Sequence, residues 1–214
     1  MSHPAPDMIA FDLFGVIFSE GHLISNVLLK LLPVDVHKVQ LKKAYEDFNL
    51  GVIDETEFWQ AIGQTDYAVL RQQFFDHFVT DADFDAVITT LKPQYDLAIL
   101  SNLPAQWADT LSQKFGFARD FSPCLFSGHL QCKKPQPEIY QKLLQQSGLR
   151  PQQIAFIDDR LENLQTAHEL GLVTVYYQKD EETHPYQPDF QIHRLAQLLT
   201  LWDSSSNTQE TLTE

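Results

Sequence analysis

The sequence contains six side chains whose types and positions suit phosphoryl chemistry. They are Asp12, Ser101, Asn102, Lys134, Asp158 and Asp159. A carboxylate can attack phosphorus, oxygen ligands can hold Mg²⁺, and an ammonium with short polar donors can clamp phosphate oxygens. Asp12 is the candidate nucleophile or metal ligand, because it ends the first apolar run of the chain. These residues predict a phosphate site if the fold brings them together.

Short apolar runs precede most of these residues and predict the strands of a parallel sheet. One run leads from Met8 to Asp12, and the others span 96–102, 122–128, 153–159 and 172–177. Continuous apolar runs are typical of strands that are buried on both faces, and helical patterns lie between them. Ligands bind at the carboxyl edge of such sheets, where the polar run ends should meet. We therefore predict an α/β fold, with five parallel strands and helices on both faces.

The segment between the first two predicted strands carries only helical patterns. Its apolar residues repeat at helical spacing, and Asp54, followed by two acidic residues, is typical of a helix start. We predict a main body at 1–18 and 80–202, closed by a helix over 190–202, with a helical insert at 19–79. The remaining residues, 203–214, are rich in Ser and Thr, and we predict a disordered tail there.

The composition limits the classes of partner. The net charge of −14 argues against nucleic acid and anionic membrane surfaces. No apolar run approaches the roughly 18 residues of a membrane helix, and the first residues lack a signal-peptide pattern. Cys124 and Cys132 make neither a disulfide framework nor a zinc site. We therefore expect a cytoplasmic protein, and the sequence does not fix its oligomeric state.

Four motifs, in this order along the chain, resemble those of the haloacid dehalogenase-like hydrolases. The family has an apolar strand ending in Asp-x-Asp-x-Thr/Val, a strand ending in Ser or Thr, a Lys before Pro, and paired acids after a strand. Here they stand as Asp12-Leu13-Phe14-Gly15-Val16, Ser101 followed by Asn102, Lys134 before Pro135, and Asp158-Asp159. The resemblance covers about residues 8 to 200, and the helical insert is similar to the cap of this family.

This resemblance implies a Rossmann-like core that holds Mg²⁺ and acts on a small phosphorylated metabolite. Asp12 would be the nucleophile that forms an aspartyl-phosphate, and Ser101 and Lys134 would hold the transferring phosphate. The implied substrate-binding residues are Phe14, Gly15, Ser101, Asn102 and Lys134. The implied metal ligands are Asp12, the backbone carbonyl of Phe14, Asp159 directly and Asp158 through water.

One position departs from the pattern of the family's phosphatases. Phe14 stands where they have a second Asp, which protonates the leaving oxygen and later activates water. A phenyl ring can do neither, and loss of a general acid–base lowers rates by about 10²–10⁴-fold. His22, Asp54 and Glu55 are possible substitutes, although surface or capping roles fit them as well.

Three interpretations remain open. The first is a Mg²⁺-dependent phosphatase that is slow or restricted to good leaving groups, such as acyl phosphates. The second is a halide-releasing or phosphonate-type hydrolase, since those branches also lack an Asp at this position. The third is a protein without catalytic activity that binds a phosphoryl ligand or a partner on the inherited scaffold.

Overall fold

A six-stranded parallel sheet forms the centre of the molecule. The computed structural model describes residues 4–33, 36–179 and 184–202. The strands are β1 (Met8–Phe11), β2 (Asp96–Ser101), β3 (Cys124–Phe126), β4 (Ile154–Asp158), β5 (Val173–Tyr177) and β6 (Phe190–Ile192). Their order across the sheet is β3-β2-β1-β4-β5-β6, and every pair is parallel. This arrangement confirms the predicted α/β class and places β1 between β2 and β4.

The sixth strand corrects the prediction of five strands and of a closing helix over 190–202. Phe190–Ile192 pairs with β5, and a 3₁₀-helix, Leu195–Thr200, follows it. The buried residues Ile192, Leu195 and Leu198 recur every three residues, which resembles helical spacing. A three-residue strand is too short to show an alternating pattern of its own. The predicted strand at 122–128 is likewise shorter, because a helical turn begins at Ser127.

Helices cover both faces of the sheet. On β1, Ile9 and Phe11 face one hydrophobic cluster, whereas Met8 and Ala10 face another. The helices are α1 (Leu29–Leu31), α2 (Lys38–Asn49), α3 (Glu55–Ala61), α4 (Ala68–Asp76), α5 (Phe84–Leu91), α6 (Ala105–Phe115), α7 (Ser127–Leu130), α8 (Pro137–Ser147) and α9 (Leu161–Glu169). Helices α5 and α6 pack on the first face, and α8 and α9 on the second. Within the described ranges, no helix is both long enough and apolar enough to cross a membrane.

The segment between β1 and α5 is helical, as predicted. It begins with a π-helix, Leu23–Leu28, which continues into α1. Its two ends lie side by side, because Phe18 and Thr80 form an antiparallel bridge. Asp54 caps α3 as predicted: its carboxylate accepts from the Glu57 N–H at 2.8 Å, and the Glu57 carboxylate accepts from the Asp54 N–H. The division into main body and insert remains a prediction, and the predicted tail at 203–214 lies outside the described residues.

Aromatic residues of α2, α3 and α4 pack on helix α6. Trp107 of α6 is fully buried, and its ring centroid lies 4.2 Å from that of Phe74, 5.1 Å from Phe48 and 5.5 Å from Phe58. Aromatic pairs at such distances contribute roughly 0.5–1.5 kcal/mol each beyond the area that they bury. This packing holds α2, α3 and α4 against α6, on the side where α2 can face the edge of the sheet.

Candidate active site

The carboxyl ends of three neighbouring strands bring predicted site residues together. Phe11, the last residue of β1, pairs with Ile99 of β2, and Asp12 follows directly. Ser101 ends β2, and Asp158 ends β4 on the other side of β1. The three side chains therefore emerge at one edge of the sheet, as the strand pattern predicted.

Asp12 is buried and oriented by three donors. Its Oδ1 accepts from the Leu13 N–H at 2.7 Å, from the Ser101 hydroxyl at 2.6 Å and from the Lys134 ammonium at 3.0 Å. Hydrogen bonds from charged donors are the stronger ones. The three donors therefore hold the carboxylate in one fixed orientation, as a nucleophile requires.

Lys134 links two of the carboxylates. Its buried Nζ lies 3.0 Å from Oδ1 of Asp12 and 2.6 Å from Oδ2 of Asp158. Burial by itself lowers the pKa of Lys134, but these two carboxylates outweigh it and the pKa lies above its usual value. Asn102 fixes the loop, since its amide donates to the Lys134 carbonyl at 2.9 Å and accepts from the Lys134 N–H at 2.8 Å. Lys134 thus remains charged at the site.

Three carboxylates form an acidic cluster around this ammonium. One oxygen from each of Asp12, Asp158 and Asp159 lies within 4.8 Å of the others. Asp158 is held by the Asn163 amide, which donates to both carboxylate oxygens at 3.1 and 3.0 Å. Burial, and then the neighbouring carboxylates, raise the pKa of Asp159, and burial also raises that of Asp158. Oxygen ligands at this density and an excess of negative charge suit a hard divalent cation.

Glycine at position 15 allows the Asp159 carboxylate to enter the cluster. A Cβ on residue 15 would lie 2.0 Å from Oδ2 of Asp159, which leaves no room for a side chain. The backbone φ of +83° at Gly15 also favours glycine. A Cβ on Gly21 would lie 2.7 Å from the same oxygen. Gly15, which the resemblance placed among substrate-binding residues, therefore lies directly against a candidate metal ligand.

Phe14 lines the cavity but belongs to an aromatic cluster. The residue is 6% exposed, and the centroid of its ring lies 5.5 Å from that of Phe18 and 5.2 Å from that of Phe78. Three residues were named as possible substitutes for the missing proton carrier, and one of them, His22, lines the same cavity. Asp54 caps α3, as described above. The third, Glu55, accepts hydrogen bonds from Arg71 and Trp107 at 2.7 and 2.8 Å.

A cavity of about 520 Å³ opens over these residues. Asp12, Phe14, Ser101, Asn102, Lys134 and Asp159 contribute to its wall. Helix α2 lines it with five further residues that the sequence analysis did not assign to the site: Lys38, Lys42, Tyr45, Glu46 and Asn49. Their spacing of 4, 3, 1 and 3 residues follows one face of a helix. That spacing is visible in the sequence, but an amphipathic helix is more often explained by core packing.

Solved structures share this fold. A HAD phosphatase from Thermococcus onnurineus matches with a TM-score of 0.72 at 18% identity, covering 92% of this chain and 98% of that chain. A HAD family enzyme from Bacteroides thetaiotaomicron, in complex with magnesium and inorganic phosphate, matches with a TM-score of 0.68 at 19% identity, covering 86% and 100%. The Rossmann-like architecture that the resemblance implied is thus confirmed.

Sequence relatives carry the same family signal. A sesquiterpene phosphatase from Aspergillus oryzae is 25% identical over 175 residues, which are 78% of this chain and 87% of that protein. A phosphoglycolate phosphatase from Pasteurella multocida is 30% identical over 121 residues, 54% of each chain, so this chain spans about half of that relative. The family model of the haloacid dehalogenase-like hydrolases matches residues 6–171. The chain therefore belongs to the haloacid dehalogenase-like hydrolases.

Proposed function

We propose that the protein is a Mg²⁺-dependent phosphatase that uses Asp12 as its nucleophile on small phosphorylated metabolites. The observation that carries this proposal is the buried Asp12 carboxylate, oriented by Ser101 and Lys134 beside two further carboxylates. Two curated relatives are named as phosphatases, which supports the same reaction class. The acidic pair is more than a halide-releasing reaction without a metal should need, so it favours phosphoryl transfer.

The residues present fit a magnesium ion. Asp12, Asp159 and the Phe14 carbonyl would hold it directly, and Asp158, whose oxygens already accept from Lys134 and Asn163, would act through water. When bound, the ion would shield the anionic substrate from the carboxylates and neutralise charge on the transferring group. Three carboxylates, two of them buried, against one ammonium leave an excess of negative charge that supports a divalent cation at this position.

The side chains of the site divide the reaction between them. A carboxylate oxygen of Asp12 forms a bond to phosphorus while the bond from phosphorus to the ester oxygen breaks, and the leaving oxygen keeps the electron pair. Ser101 and Lys134 donate to the phosphoryl oxygens as negative charge develops there. Water then attacks the aspartyl-phosphate, which releases inorganic phosphate and restores Asp12.

Phe14 sets the limits of this activity. Because its ring cannot deliver a proton, the leaving oxygen must depart as an anion, and the water of the second step receives no help from this position. Acyl and aryl phosphates, whose leaving groups are stable anions, should therefore react faster than alkyl phosphates. A flat dependence on the leaving group would mean that another residue supplies the proton.

Hydrolysis of acetyl phosphate and of an aryl phosphate, with and without Mg²⁺, tests the proposal. The control is the Asp12→Asn variant, which keeps the size of the side chain but loses the nucleophilic carboxylate. Turnover that requires both Mg²⁺ and Asp12 is the expected result. Activity that survives in the variant would refute Asp12 as the nucleophile, and no turnover in the folded wild type would favour a binding role without catalysis.

A further inference from the structure

We propose that the cavity selects phosphomonoesters that carry a second anionic group, a carboxylate or another phosphate, which Lys38 and Lys42 bind. The inference rests on the proposed phosphatase function and names its substrate class. It comes from the face of α2 that lines the cavity and from the charges gathered there.

This face of α2 runs from the acidic cluster towards solvent. Asn49 is buried and accepts from the Ser127 hydroxyl at 2.6 Å. Tyr45 is buried and lines the cavity together with Asp12, and burial, followed by Glu46 and Asp12, raises the pKa of its phenol. Lys42 and Lys38, towards the start of the helix, are exposed. The helix thus leads from the reacting end of the cavity to a basic outer end.

Charge is distributed unevenly between the cavity and the rest of the chain. Five of the 15 lysine and arginine residues line the cavity, but only three of the 29 aspartate and glutamate residues do. A third of the basic residues and about a tenth of the acidic ones therefore line one cavity, in a chain with a net charge of −14. This bias favours a substrate that brings more negative charge than one phosphate.

Lys38 and Lys42 are the basic side chains of the cavity that remain available. Lys134 pairs with Asp12 and Asp158, as described above. Lys133 pairs with Glu46, and Arg160 with Glu162 at 2.8 Å. In the described parts of the chain, neither Lys38 nor Lys42 pairs with a carboxylate, so both ammonium groups can bind a ligand.

The helix also sets the length of the substrate. With a rise of about 1.5 Å per residue, Lys42 lies about 4.5 Å and Lys38 about 10 Å along the helix axis from Tyr45. A second anion about one to two helical turns beyond the end of the cavity at Tyr45 would therefore reach these ammonium groups. A substrate with a polar but uncharged tail of the same length would leave them without a partner.

Three aryl phosphates with similar leaving groups test this inference. They are para-carboxyphenyl phosphate, its isosteric carboxamide, and hydroquinone bisphosphate. The Lys38→Gln/Lys42→Gln double variant should lower kcat/KM for the carboxylate and the bisphosphate by roughly three- to tenfold, and for the carboxamide by less than about twofold. Of the carboxylate and the bisphosphate, the substrate that loses more kcat/KM in the double variant carries the second anionic group that the lysines prefer.

A matched control uses the same helix. Lys43 pairs with Asp47 at 2.8 Å and lies outside the cavity, so Lys43→Gln removes one positive charge from α2 without touching the site. It should leave all three substrates unchanged. Equal losses of kcat/KM for all three substrates in the double variant would overturn the inference, because they would indicate a general attraction of phosphate. An unchanged kcat/KM for all three substrates would overturn it as well.

Calorimetric binding to the Asp12→Asn variant separates this inference from the proposed function. The carboxylate should bind more tightly than the carboxamide, and only while Lys38 and Lys42 are present. If this preference is found but no substrate is hydrolysed by the wild type, the phosphatase proposal fails and the binding inference holds. If hydrolysis occurs without the preference, the inference alone fails.

Discussion

Replacing Phe14 by Asp should restore a proton carrier to the site. Phe14 lines the cavity and is 6% exposed, so we expect a shorter carboxylate side chain at this position to face the same space. Restoring a general acid–base should raise kcat for alkyl phosphates by at least about 10²-fold. Acetyl phosphate should gain far less in its first step, because its leaving group departs without a proton.

The same substitution should destabilise the protein. The Phe14 ring packs against Phe18 and Phe78, with centroid distances of 5.5 and 5.2 Å. Loss of the ring removes both contacts, and truncation of a buried Phe lowers the free energy of unfolding by about 3–5 kcal/mol. We expect the lower end of that range, because Phe14 borders an open cavity.

The Phe14→Asn variant is the matched control. It removes the same ring and places a polar group of the same size, but it cannot carry the proton. Urea unfolding should show destabilisation in both variants, because both lose the ring. Rates with butyl phosphate and acetyl phosphate should show a gain in alkyl phosphate hydrolysis in Phe14→Asp alone. A folded Phe14→Asp protein without that gain, or an equal gain in Phe14→Asn, would refute the reasoning.

Three other perturbations test separate parts of the structure. Mg²⁺ at about 100 times its Kd should increase the free energy of unfolding of the wild type by about 2.7 kcal/mol. Asp159→Asn should raise the Tm of the metal-free protein and abolish this stabilisation by Mg²⁺. If a thermal melt of the variant shows the same stabilisation by Mg²⁺, Asp159 is not a ligand. Asp54→Ala should lower the free energy of unfolding by about 1 kcal/mol in urea and leave KM unchanged, and no loss would contradict the cap. Burial raises the pKa of Cys124 to about 11, so its thiolate is scarce at neutral pH and increases as the pH rises. In a Cys132→Ser background it should react with a disulfide reagent much more slowly than the unfolded chain does, and equal rates would contradict its burial.

The main parts of the site were predictable from the sequence because they follow buried strands. Continuous apolar runs mark β1, β2, β4 and β5, and the topology of a parallel sheet then brings Asp12, Ser101 and Asp158 to one edge. Lys134 was predictable as a residue of the loop between β3 and α8, from which it can reach the same edge of the sheet. Its contacts with two carboxylates depend on Asn102, which fixes the loop in space.

Other features depend on tertiary contacts that no local pattern carries. β6 has three residues and is recognisable as a strand only through its pairing with β5. The spacing of the apolar residues in this region therefore suggested a helix. The contribution of α2 to the cavity wall was not predictable either, because Lys38 and Lys42 on a helix predict only an exposed face. The approach of the Asp159 carboxylate to Gly15 is likewise visible only in three dimensions.

Trapping of the covalent intermediate tests the central claim most directly. The wild type would be mixed with Mg²⁺ and acetyl phosphate, quenched in acid during turnover, digested and examined by mass spectrometry, with Asp12→Asn as the control. We predict one phosphoryl group on the peptide that contains Asp12, and none in the variant. A phosphoryl group on another residue, or turnover without any labelled peptide, would contradict Asp12 as the nucleophile.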